Sequence, residues 1–134
     1  MTAAAANRDA GKIDGNLCEG GVAASATIYK NTMLMWNATG YLTPMTDASG
    51  NVFAGVSDGD AVGGDSSGNI KVKYWRKGSF EFVLSGAAIT VNGDLVYASD
   101  DQTVKTTAGD STGVGRAVKY LNSGKQYIDI GGYC

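Results

Sequence analysis

The amino-acid sequence predicts an all-β fold: a single β-sandwich, jelly-roll-like or barrel domain of about eight to ten short strands, with an extended N-terminal arm. Three observations carry that expectation. From Thr27 onward, short apolar runs are bounded by turn residues at close intervals. Glycine supplies 20 of the 134 residues, proline occurs once and charged residues make up 18%, a balance that suits many strands joined by tight turns. The hydrophobic fraction of 43% is expected to close one core and not two. The predicted organisation is therefore an arm over 1–25 and one β domain over 26–134.

Residues 1–25 are rich in Ala, Gly, Asn and Asp, with Ile13, Leu17 and Val22 as isolated apolar positions and no helical or strand period. Stretched out at ~3.3 Å per residue, such a segment reaches on the order of 80 Å, enough to cross onto a neighbouring subunit. A frayed terminus is the alternative reading. The first clear strand is 33–36, ending at Asn37-Ala38-Thr39-Gly40, where Asn favours local turn bonds and Gly accepts positive φ. A return strand follows over 41–45, with Pro44 pointing to an edge or strand end, and then a turn at Asp47-Ala48-Ser49-Gly50-Asn51. Residues 52–56 read as a buried strand and 57–69 as a Gly/Asp/Ser loop.

Alternation is clean over 70–76, and Lys77-Gly78 marks a bend before the strand 79–84. Ile70, Val72, Tyr74, Phe80 and Phe82 are the best core candidates, and Lys71 and Lys73 belong to a solvated face. Asn92-Gly93-Asp94 signals a turn into strand 95–97, and the Thr/Val content of 103–107 suits a pleated surface. Strand 114–121 turns through Asn122-Ser123-Gly124-Lys125 into 126–130, where Gln126, Ile128 and Ile130 face one way. No fixed-period repeat is evident.

Chemistry is sparse. The chain has no His, which removes the commonest general base, nucleophile activator and transition-metal ligand. The two Glu residues, Glu19 and Glu81, lie in the arm and on a strand, and most Asp residues, such as Asp47, Asp94 and Asp110, sit in turn sequences. No enzyme is expected, no catalytic residue is assigned, and neither a metal site nor a cofactor is expected. Asp58-Gly59-Asp60 with Asp65 and Asn69 resembles a calcium loop only superficially, since it lacks the EF-hand spacing and its terminal Glu. Asn37-Ala38-Thr39 matches a glycosylation sequon but reads better as a hairpin turn.

A net charge of −2 with scattered Lys and Arg argues against direct nucleic-acid binding, which needs a basic stripe. No run approaches the ~20 apolar residues of a membrane helix, and the start lacks a signal-peptide core, so synthesis in the cytosol with no membrane association is expected. Cys18 and Cys134 match no metal spacing and read as free thiols in a reducing compartment, with a bond between them, or between subunits, as the alternative. Trp36 is expected in the core, whereas Trp75, opposite in phase to Tyr74, and Tyr133 in the Gly131-Gly132-Tyr133-Cys134 tail are candidate inter-subunit contacts.

The order of several segments resembles the decoration, or cement, proteins of tailed-bacteriophage heads. These segments are Ile28-Tyr29-Lys30, Ala38-Thr39-Gly40-Tyr41-Leu42-Thr43-Pro44, Asp47-Ala48-Ser49-Gly50, Val52-Phe53-Ala54-Gly55-Val56, Ile70-Lys71-Val72-Lys73, Arg76-Lys77-Gly78-Ser79-Phe80 and Val96-Tyr97-Ala98-Ser99-Asp100-Asp101-Gln102-Thr103-Val104. Asn7-Arg8 and Asp14-Gly15 resemble that family's arm, and the likeness runs from about Asn7 to Val118. The Gly/Ser-rich 63–69 and the Cys-terminated tail depart from it. The resemblance implies a homo-oligomer, trimer or dimer, on the outer capsid surface of the virion. It also implies an arm, with Asn7, Arg8, Ile13, Leu17 and Val22 as contact residues, laid across major capsid protein subunits to hold the expanded head against internal DNA pressure. The competing classes are another virion β-domain, from a tail or spike, and a carbohydrate-binding β-sandwich that stacks sugars on Trp36 or Trp75.

Overall fold

Alternating and β-branched segments become twelve strands in a computed structural model, which describes residues 17–108, 111–122 and 124–130. In chain order they are β1 Leu17–Gly21, β2 Thr27–Ile28, β3 Met33–Trp36, β4 Leu42–Pro44, β5 Val52–Ser57, β6 Ala61–Val62, β7 Lys71–Trp75, β8 Ser79–Leu84, β9 Leu95–Ala98, β10 Thr103–Lys105, β11 Gly113–Asn122 and β12 Lys125–Asp129. One 3-10 turn, Ile89–Val91, lies between β8 and β9. The all-β expectation holds, and the nine strands expected from the sequence are all present. The three additional ones are β1, which falls inside the expected arm, and the two-residue β2 and β6.

The strands form two units. The first is a five-stranded sheet in the order β1-β7-β5-β3-β4, and the second is a closed barrel in the order β10-β8-β12-β11-β9. The barrel contains one parallel pair, β10 with β8, and closes through the antiparallel pair of β10 with β9. The five-stranded sheet curls until its two edges meet: Val22, one residue past β1, bridges Leu42 of β4, and the Ala23 N–H donates to the Leu42 carbonyl at 3.0 Å. Joined edges leave fewer unpaired backbone groups open to other chains. A small ribbon of β2 with β6 lies beside this sheet.

Two hydrophobic clusters result, where composition predicted one core. Val22, Ile28, Leu34, Leu42, Val72 and Tyr74 fill the curled sheet, with Trp36 packed against them, edge-on to Tyr74 at 5.8 Å between ring centroids. The other cluster joins barrel residues such as Phe82, Leu84, Val96, Val104, Ile128 and Ile130 to Met33, Met45 and Val56 from the first sheet. The reason is visible in β3, whose Met-Leu-Met-Trp sequence is apolar on both faces: Met33 and Met35 belong with the barrel cluster, Leu34 and Trp36 with the other. Period-2 alternation thus places one strand in two cores.

Val72, Tyr74 and Phe82 are buried as expected, with Lys71 and Lys73 exposed, and Phe80 packs at the edge of the barrel cluster. Ile70 is a correction: it is 39% exposed, because it precedes β7 and its carbonyl accepts the Val22 N–H at 2.8 Å, leaving its side chain beside Gly64. The expected turn chemistry is present. Asn37 Oδ1 accepts from the Thr39 N–H, the Thr39 hydroxyl and the Tyr41 N–H at 2.9–3.0 Å, and Gly40 adopts φ 88°. Gly124, at φ 95°, sits in the turn between β11 and β12.

Candidate functional site

Of the described residues expected to contact partners, the structure brings Leu17 and Trp75 together and buries Val22. Leu17 opens β1, opposite Trp75 of β7, and is 37% exposed. Val22 is fully buried, which corrects its assignment as a contact residue of a free arm: its side chain completes the chain's own core. The segment 17–25 therefore belongs to the folded body for as far as it is described, because β1 hydrogen-bonds along β7 and its extension seals the sheet. Trp75 is half-buried and donates its indole N–H to Asp58 Oδ1 at 3.0 Å, so Asp58 serves as its acceptor. No cluster of three or more potential metal ligands occurs among the described residues. Asn7, Arg8, Ile13, Tyr133 and Cys134 lie outside the described residues, and Cys18 is a free thiol of intermediate exposure.

A different surface emerges around the turn after β2. Ser57, fully buried at the end of β5, donates its hydroxyl to the Tyr29 carbonyl at 2.6 Å and accepts the Thr32 N–H at 3.1 Å. The Thr32 hydroxyl donates to the same Tyr29 carbonyl at 2.6 Å. Backbone bonds from Asn31 N–H to the Ser57 carbonyl, and from Ser57 N–H to the Thr32 carbonyl, complete the clamp at 3.0 and 2.9 Å. Asn31 is thereby held at φ 62°, a conformation that Asn tolerates better than most residues. Tyr29 is 64% exposed on this turn, and Val62 of β6, opposite Thr27, is 62% exposed. A rigid turn that presents an aromatic ring suits a contact surface, since little ordering entropy remains to be lost on binding.

The turn overhangs the outer face of the barrel and makes a groove. One end, an open space of about 410 Å³, is lined by Asn31, Ser79, Phe80, Glu81 and Tyr127. The other, about 210 Å³, is lined by residues including Lys30, Asn31, Glu81, Gln102 and Lys125. Asn31 and Glu81 line both, so the two spaces adjoin. The strand register explains the floor: β12 lies beside β8 with Tyr127 opposite Glu81, Asp129 opposite Ser79 and Lys125 opposite Val83, all on the outward face, while Gln126 and Ile128 point into the barrel. Lys125 Nζ lies 3.2 Å from Glu81 Oε1, and Lys119 Nζ lies over the Tyr127 ring at 5.9 Å from its centroid. Sequence reasoning placed Glu81 on a strand and missed the groove, because its two walls come from segments about fifty residues apart in the chain.

The halves of the molecule are tied by polar contacts as well. Asp47, between β4 and β5, accepts from Lys105 Nζ at 2.6 Å and from the Ser111 hydroxyl, and these two hydrogen bonds hold its carboxyl below the usual range. Asp101, before β10, is pushed the other way, chiefly by burial and then by the neighbouring Asp100 carboxylate.

No protein-family model matches the chain, and no curated protein matches it. Among solved structures, the chain is similar to the N base of the head fiber gp8.5 of bacteriophage phi29, with 19% sequence identity, a TM-score of 0.54, and coverage of 85% of this chain and 93% of that one. At that identity the likeness is one of fold.

Proposed function

We propose that this chain is a non-enzymatic structural protein of a tailed-bacteriophage head, bound to the outer surface of the expanded shell, where it cements neighbouring major capsid protein subunits. The observation that carries the reading is the fold shared with a phage head-fiber base across nearly the whole of both chains. It is supported by the independent sequence resemblance to head decoration proteins. A clamp that binds only the expanded shell stabilises that state by mass action, and many copies, as dimers or trimers, turn modest contacts into firm attachment. A second reading is favoured by the name of the similar structure: the chain is an anchoring base that holds a projecting part on the head without strengthening it.

Co-sedimentation of the purified protein with expanded and unexpanded phage shells tests both. Selective binding to expanded shells, together with a raised shell melting temperature, is the expected result. Binding with no change in shell stability supports the anchoring base, and failure to bind either shell sinks both readings.

A further inference from the structure

We propose that the groove beneath the Tyr29–Thr32 turn is a saccharide-binding site whose second end selects sugars carrying a negative substituent. The inference rests on the groove and not on placement in a phage head. At its first end the outward Tyr127 ring stands among an amide, a hydroxyl and a carboxylate, from Asn31, Ser79 and Glu81, with Phe80 packed inward against the barrel cluster. Aromatic faces suit the C–H faces of pyranose rings, and planar amide and carboxylate groups can each engage two adjacent sugar hydroxyls. Aliphatic side chains, which would favour a peptide's apolar groups, are absent from that lining.

An extended peptide is disfavoured for a second reason. β8, the strand beneath the groove, is paired on both sides, with β10 and with β12, in a closed barrel, so it offers no free edge for strand addition. The backbone that carries Asn31 is also set in advance. Asn31 is fixed by the Ser57 clamp at φ 62°, and Tyr127 is braced by Lys119. At the other end Lys30 and Lys125 face one carboxylate, Glu81, which Lys125 already engages. That leaves a local positive excess on a chain of net charge −2. A uronic-acid residue fits this end, because its carboxylate can pair with Lys30 while its hydroxyls meet Gln102 and Asn31.

The test is a microarray of bacterial surface oligosaccharides, neutral and uronate-bearing, probed with the full chain and followed by NMR titration of the best binder. The expected result is binding that favours uronate-bearing chains and that weakens about tenfold in both Tyr127→Ala and Asn31→Gly. The second variant keeps the left-handed backbone, so an unchanged circular dichroism spectrum separates lost binding from lost fold. Lys30→Ala should abolish the preference for uronate while leaving neutral glycans bound. An array with no signal overturns the proposal, as does binding that neither Tyr127→Ala nor Asn31→Gly weakens. Equal binding of neutral and acidic chains by the unmodified protein overturns the assignment of the cationic end.

Discussion

At the scale of single residues, Ser57 has the largest reach. Its hydroxyl is buried, and it holds a carbonyl 28 positions away in sequence. Ser57→Ala removes a donor from Tyr29 and an acceptor from the Thr32 N–H, and is expected to cost about 1–3 kcal/mol, measured by urea denaturation. It should also broaden the NMR signals of 29–32, since the Ser57 hydroxyl bonds both Tyr29 and Thr32, on either side of Asn31. Gly115 is a second such point. A Cβ there would lie 2.1 Å from the Asp129 carbonyl oxygen, at an irregularity where β11 shifts register against β9. Gly115→Ala should therefore destabilise the barrel by about 1–3 kcal/mol, the range for overpacking, with a lower urea midpoint as the readout. Of these residues, the sequence reveals the turn-forming Asn37, whose partners are Thr39 and Tyr41 close by. It does not reveal Ser57 or Gly115, whose partners are distant in the chain.

Among elements, the contact between the β4–β5 connection and β10 should be the pH-sensitive one. Asp47 is held below its ordinary value of 3.8 by hydrogen bonds from Lys105 and Ser111, so its folded form prefers the carboxylate. That contribution is present above the unfolded value and is lost as pH falls below 3.8 through the folded value. Asp101 acts in the opposite sense: raised above 3.8 by burial, it stabilises most when protonated, and that advantage fades as pH rises through its folded value. Asp47→Asn should flatten the fall in melting temperature between pH 5 and pH 2 (a window of about three units, set by the carboxylate range), whereas Asp101→Asn should steepen it. Thermal melts of the two variants across that window check the signs.

The strands legible in advance are those whose own alternation decides their faces, such as β7, with Lys71 and Lys73 out and Val72 and Tyr74 in, and β8, whose bounds match the expected 79–84. β1, β2 and β6 were not legible. The Leu-Cys-Glu-Gly-Gly of β1 has no strand period, and it is a strand because β7 provides a ladder for it. Its extension at Val22 turns what read as an arm into the seam of the sheet.

For the whole molecule, the shared cluster decides how the two units behave. Met33 and Val56 of the first sheet, with Met45 just past β4, are buried with the barrel's Phe82, Val104 and Ile128, so opening either unit exposes part of this shared cluster. The expected outcome is one cooperative transition. Trp36 and Trp75 both report on the first sheet, so tryptophan fluorescence and far-UV circular dichroism should give coincident urea curves. Two separated transitions would contradict the shared core. Met33→Ala, at the junction, should lower stability by about 2–5 kcal/mol and shift both signals together.

The sequence by itself determined the class of fold, most strand positions and the turns, because alternation, β-branched content and Asn/Gly placement act over a few neighbouring residues. Only the tertiary structure decided that there are two clusters and not one, that residues 17–25 join the body, and that Asn31, Glu81 and Tyr127 line one groove. Each of these depends on which strands pair, and pairing is fixed by the joint burial of side chains far apart in the chain, which no local pattern encodes.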